Sequence, residues 1–160
     1  MVTSPYATPP AGLPGQTTLL SDRAVFTEAY AVIPKGVMRD IVTSYLPLWN
    51  KTRLWVISRP LSGFSETFSQ YIMEVAPGGG SDRPEPDPAA EGVLFVAAGE
   101  VALNLAGKTH GLRAGGYAFI PPGTSWTLHN GGAAPARFHW GRKAYERVEG
   151  LALPEPFVVA

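Results

Sequence analysis

The sequence contains no cysteine. Disulfides and thiolate chemistry are therefore excluded, and a reducing compartment is compatible with the chain; the expected location is cytoplasmic. Histidine is scarce, with only His110, His129 and His139 among 160 residues. Charged residues make up 16% of the chain, and 13 basic residues balance 13 acidic ones. With no net charge and no basic stripe, electrostatic capture of nucleic acid or an anionic membrane surface is not expected. Long hydrophobic runs are missing too. The longest, Val93 to Ala106, is broken by Glu100 and Asn104 and falls short of the roughly 20 residues that span a bilayer. No basic residue precedes Arg23, so the start of the chain does not read as a signal peptide. No Ser-His-Asp set, phosphate-binding glycine loop or pair of catalytic carboxylates has workable spacing. Internal repeats and a long helical pattern are also absent.

What the chain has in quantity is glycine (18) and proline (16), against 45% hydrophobic residues. That balance fits one domain of many short strands joined by tight turns. At this length about two-thirds of the surface is buried on folding. Residues 1–22 carry Pro5, Pro9, Pro10, Gly12, Pro14 and Gly15 and read as an extended N-terminal arm that cannot sustain a ladder. Short strands are predicted at Arg23–Phe26, Ala29–Ile33, Leu54–Ser58 and Thr67–Val75, with a loose alternation over Val37–Tyr45. Leu46–Lys51 reads as a loop carrying Trp49. In Thr67–Val75, the set Ser69, Tyr71, Met73 and Val75 is expected to face the core. Pro77–Ala90 reads as a polar loop. Val93–Ala97 reads as a buried strand, with Phe95 in the core. Ala98-Gly99-Glu100 makes a hairpin turn into Val101–Ala106, whose Val101, Leu103 and Leu105 share a face. Thr109–Leu112, Tyr117–Ile120 and Ala136–Arg142 complete the strands.

The densest signal lies at Gly115 to Asn130, GGYAFIPPGTSWTLHN. A strand, a rigid Pro121-Pro122-Gly123 reversal and a second strand make a barrel corner. Gly115, Pro121, Gly123, Trp126 and Asn130 stand at the spacing of the second motif of the cupin barrel, and VLFVAAGEV resembles the strand–turn–strand that closes the first. The resemblance implies an all-β fold: a single cupin (double-stranded β-helix, jelly-roll) barrel over residues 23–145, with 146–160 as a linker or tail toward a second cupin absent from this chain.

Metal-binding cupins place histidine where this sequence has Trp126. Their glutamate, seven places before the hairpin glycine, corresponds to Gly92. Glu91 is one place off and is expected to point to the other face. The two remaining histidine positions fall near Glu85 and Asp87, in a loop expected to be solvated. The resemblance therefore implies a degenerate site at Glu85, Asp87, Gly92 and Trp126, with no metal and no catalytic residue here. Trp126 either fills the volume of the lost metal or walls an apolar pocket. Candidate pocket residues are Trp126, Tyr71, Phe95 and His129, although each also reads as an ordinary core or surface residue.

Tyr30-Ala31-Val32-Ile33-Pro34, Phe68-Ser69-Gln70-Tyr71, Val93–Val96 with Gly99-Glu100-Val101, the Gly115–Gly123 corner, Tyr145 and Val148-Glu149-Gly150 together resemble the N-terminal half of bicupin (S)-ureidoglycine aminohydrolases of allantoin degradation. That resemblance implies that Mn and the substrate, from which ammonia is released, belong to the second cupin, and that this half is structural. It also implies pairing as a homodimer or with a second cupin. The alternative is a stand-alone metal-free cupin holding a small ligand near Trp126.

Overall fold

The computed structural model describes residues 25–26, 30–32, 46–60 and 67–160. The predicted arm at 1–22 and the alternation over 37–45 lie outside them. Val25–Phe26 (β1) pairs with Ala31–Val32 (β2) as a separate small ladder. The remaining strands are β3 (Asn50–Ser58), β4 (Phe68–Ser81), β5 (Ala90–Ala98), β6 (Glu100–Leu105), β7 (Lys108–Arg113), β8 (Tyr117–Ile120), β9 (Trp126–His129), β10 (Ala136–Ala144) and β11 (Phe157–Val159). They run in the order β11-β8-β5-β10-β4-β9-β6-β7, with β3 on β4, and every pairing is antiparallel. This is the all-β barrel the sequence predicts.

The barrel is held together by β4. Its first half pairs with β3 and β10, and its far end crosses to β9 through Gly80 opposite His129 and Ser81 opposite Leu128. Here the sequence reading is corrected, because Pro77–Ser81 is strand and the loop begins only at Asp82. Glycine makes the crossing possible. Gly78 and Gly80 have φ of 68° and 141°, which side chains resist. A Cβ on Gly79 would lie 2.8 Å from the Asn50 carbonyl. Three glycines after a proline look like a loop, and here they carry β4 from its pairing with β10 to its pairing with β9.

The Gly115–Asn130 stretch builds the corner as its spacing suggests. The Gly115 N–H donates to the Val96 carbonyl and the Val96 N–H to Gly116, which ties the turn to β5. Asn130 is buried, and its Nδ2 donates to the carbonyls of Val75 and Ala134, both at 2.8 Å. It pins the 131–135 loop to β4. The inward rows meet in one core that includes Met73, Leu94, Val96, Leu103, Leu128 and Phe138.

A further expectation is corrected. Val93–Ala97 is not buried throughout. It alternates, with Leu94 and Val96 inward while Val93 and Phe95 face out, Phe95 being 47% exposed. An unbroken apolar run cannot report which face is covered. The tail is also partly strand, since β11 adds to β8 with Phe157 opposite Phe119, and Val158 packs against the core.

Candidate functional site

The inward end of the barrel is filled by aromatic rings. Trp126, from β9, is 6% exposed. Its ring meets Trp140 of β10 at 5.8 Å and Trp49 at 6.3 Å, both edge-on. Trp49 also contacts Trp140 and Phe138 at 5.8 and 6.1 Å, and its Nε1 donates to the Pro84 carbonyl at 3.3 Å. Edge-to-face packing suits the ring quadrupoles, and each such pair adds about 0.5–1.5 kcal/mol beyond area burial.

Tyr71 joins this cluster from β4, half-buried and 5.7 Å from Trp140. Phe95 and His129 do not. Phe95 lies on the outer face beside His139, ring centroids 6.5 Å apart. The His129 side chain is 47% exposed, and its Nε2 lies 3.0 Å from Asp82 Oδ1. The four pocket candidates thus divide, with Trp126 and Tyr71 on the Trp140 cluster and the other two outside the barrel.

Gly92 faces inward and is buried, opposite Arg142 in the ladder. A Cβ there would lie 3.3 Å from Trp140 Nε1. Glu91 sits on the alternate row, half-buried, with Lys143 Nζ at 3.9 Å. Asp87 is exposed and caps its own turn by accepting the Ala89 N–H at 2.9 Å.

Glu85 corrects the expectation of a solvated acidic loop. Its side chain is only 9% exposed. Arg142 Nη2 donates to Oε1 at 2.8 Å, and Nε lies 2.5 Å from Oε2. The Arg142 guanidinium also lies 5.8 Å from the centre of the Trp140 ring. Arg142 and Trp49 are the residues that sequence reasoning missed. A signal for Arg142 existed. It continues the inward row Ala136, Phe138, Trp140 of β10, and an inward arginine needs a carboxylate partner.

Glu74 is a second partly enclosed carboxylate, on the outer face. It accepts from Arg53 Nε at 2.8 Å and Arg137 Nε at 2.6 Å. Burial alone would raise its pKa, but the hydrogen bonds and charges of Arg137 and Arg53 outweigh it and hold the carboxyl below its ordinary value.

The residues present do not fit a cupin metal. Trp126 stands where an imidazole would, Gly92 has no donor, and the Glu85 carboxylate is taken by Arg142. Among the described residues no three His, Asp or Glu side chains are grouped to hold an ion. What stays open is a void of about 10 Å³ beside Gly92, Trp126 and Trp140. Outside it, a cleft of about 360 Å³ runs between the 82–88 loop and the 123–125 corner.

The family model described as a cupin domain matches residues 71–141, from β4 into β10. Residues 71–141 form a cupin domain. This chain is 29% identical over 136 residues to (S)-ureidoglycine aminohydrolase of Escherichia coli (strain K12). That match takes in 84% of this chain and 50% of the relative. A crystal structure from Pseudomonas aeruginosa, provisionally described as a glyoxylate induced protein, is 60% identical with a TM-score of 0.80. It is matched over 98% of this chain and 57% of its own. The structure of protein Ylba from E. coli is 26% identical with a TM-score of 0.75, over 91% of this chain and 58% of that one. This chain therefore spans about half the length of the relatives it matches. Among the described residues no helix is long and apolar enough to cross a membrane.

Proposed function

We propose that this chain is the structural, metal-free cupin unit of a ureidoglycine aminohydrolase-type protein of purine (allantoin) degradation. In this reading it supports a catalytic Mn-binding cupin that is a separate unit, and alone it is inactive. The observation that carries the reading is Trp126 at the inward position, packed on Trp49 and Trp140. The space left beside Trp126 in the barrel core, about 10 Å³, is no larger than one water, too small for a metal with its ligands. The identity to (S)-ureidoglycine aminohydrolase over half of that protein supports the kinship. The role left to such a unit is to pair. Its outer face offers Val93, Phe95, Phe157 and Val159, all exposed, for a further cupin barrel on a second copy or another unit.

The test is an assay of ammonia release from ureidoglycine with Mn²⁺ present. The chain alone should give the uncatalysed rate, and a protein joining it to a cupin with an intact His and Glu ligand set should be active. Turnover by the chain alone would overturn the reading. The cleft of about 360 Å³ at the barrel mouth favours a second reading, in which the barrel binds a small ligand next to Trp126.

A further inference from the structure

The small void and the outer cleft share four lining residues, Glu85, Ala90, Ile120 and Trp126. Glu85, between Pro84 and Pro86, lines both spaces, and its carboxylate pairs with Arg142. Arg142 is itself only 29% exposed at the side chain, lies over Trp140 and stands opposite a residue with no side chain, Gly92. A part-buried guanidinium beside an aromatic ring and opposite a glycine is a receptor for a planar carboxylate. In this structure the chain's own glutamate supplies that carboxylate.

We infer that the barrel mouth is a binding site for a small carboxylate, anchored on the Arg142 guanidinium beside Trp140, with Glu85, which lines both spaces, as the internal occupant that a ligand must displace. Displacement joins the inner void to the cleft, giving room for a short organic acid. Removing Glu85 leaves an enclosed cation with no partner, a state that strongly favours uptake of an external anion. The Glu85 side chain beyond Cα is chemically a propionate, so propionate is the matched probe. The inference deepens the small-ligand reading of the barrel. It does not depend on the structural role, because its test needs neither a second cupin nor turnover.

The experiment titrates propionate into wild type, Glu85→Ala, Glu85→Gln and Glu85→Ala/Arg142→Gln. Tryptophan fluorescence and melting temperature are read, with propionamide as the neutral control. Glu85→Ala should show a saturable response with affinity at least about tenfold tighter than wild type, the scale of one charge-assisted hydrogen bond. Glu85→Gln should fall between the two, and propionamide should give no response. The response should vanish in the double variant, which carries no unpaired buried charge and so tests Arg142 in a folded background. Arg142→Lys, which keeps the charge but not the fork, should bind more weakly than wild type. Three results would each overturn the inference: a folded Glu85→Ala protein that ignores propionate, an undiminished response in the double variant, or a wild type silent at about a hundred times the concentration that half-saturates Glu85→Ala.

Discussion

Trp126 and Trp140 meet edge-on inside the barrel, ring centroids 5.8 Å apart and planes at 77°. They come from β9 and β10, which both pair with β4 but not with each other, so this contact ties together two strands that the ladder does not join directly. The two rings, with Trp49, fill the barrel there.

Metal content should follow from that packing. After incubation with Mn²⁺ and dialysis, elemental analysis should give far less than one ion per chain. Trp126→His should not change the outcome, because Gly92 supplies no carboxylate and Glu85 is committed to Arg142. About one Mn, Fe, Ni or Zn per chain would contradict the packing account.

Glu74 sets an acid limit on stability. Its folded-state pKa is lowered by Arg137 and Arg53 against the cost of burial, so folding releases its proton more readily than the unfolded chain does. The stabilisation is fully present above the unfolded value, near 4.5, and is lost as pH falls through the folded one. Glu74→Gln should cost roughly 1–3 kcal/mol at neutral pH, discounted from a fully buried pair because both arginines are half in water. It should also flatten the loss of stability below the unfolded value. Denaturant midpoints measured across acid pH for both proteins check this, and parallel curves would contradict it.

The tail should stabilise the barrel through β11. Val158 packs on the core, and the Phe157 ring lies 5.4 Å from Tyr117. Val158→Asp should cost roughly 1–2 kcal/mol, the scale of a partly buried valine, and should expose the edge of β8 to intermolecular pairing. A melting temperature equal to wild type, with no added aggregation, would count against the strand's contribution.

Much of this fold was legible in the sequence because turn chemistry is local. The Gly115–Asn130 spacing predicts the corner, and Tyr117–Ile120 is the observed β8. The alternation of Val101, Leu103 and Leu105 predicts a buried row, and all three are buried. Gly92 and Glu91 fall on opposite rows as their one-residue offset implies. What escaped was long-range. Pro77–Ser81 reads as loop because its strand partner, β9, lies about 50 residues away. Glu85 reads as solvated because its partner, Arg142, is 57 residues on. Trp49 sits outside any strand, and only the assembled barrel shows that it packs against Trp126.

Self-association should run through the outer face. Phe95 is exposed beside Val93 and His139, so Phe95→Glu should leave stability within about 0.5 kcal/mol, as surface substitutions do, while weakening pairing. Light scattering over micromolar concentrations checks this. A wild type that is strictly monomeric throughout would remove self-pairing, and a dimer untouched by Phe95→Glu would move the interface elsewhere.

The central claim is that the Trp126 ring is packed as a plug in the barrel core, and the unfolding free energy of Trp126→Ala tests it most directly. Trp126 touches both Trp49 and Trp140, so truncation leaves a cavity bounded by rigid rings that cannot collapse into it. The account predicts a loss of about 3–5 kcal/mol by denaturant titration, the range for large aromatic truncations in a core. A loss below about 1 kcal/mol, far under that range, would contradict it and make the barrel a binding cup.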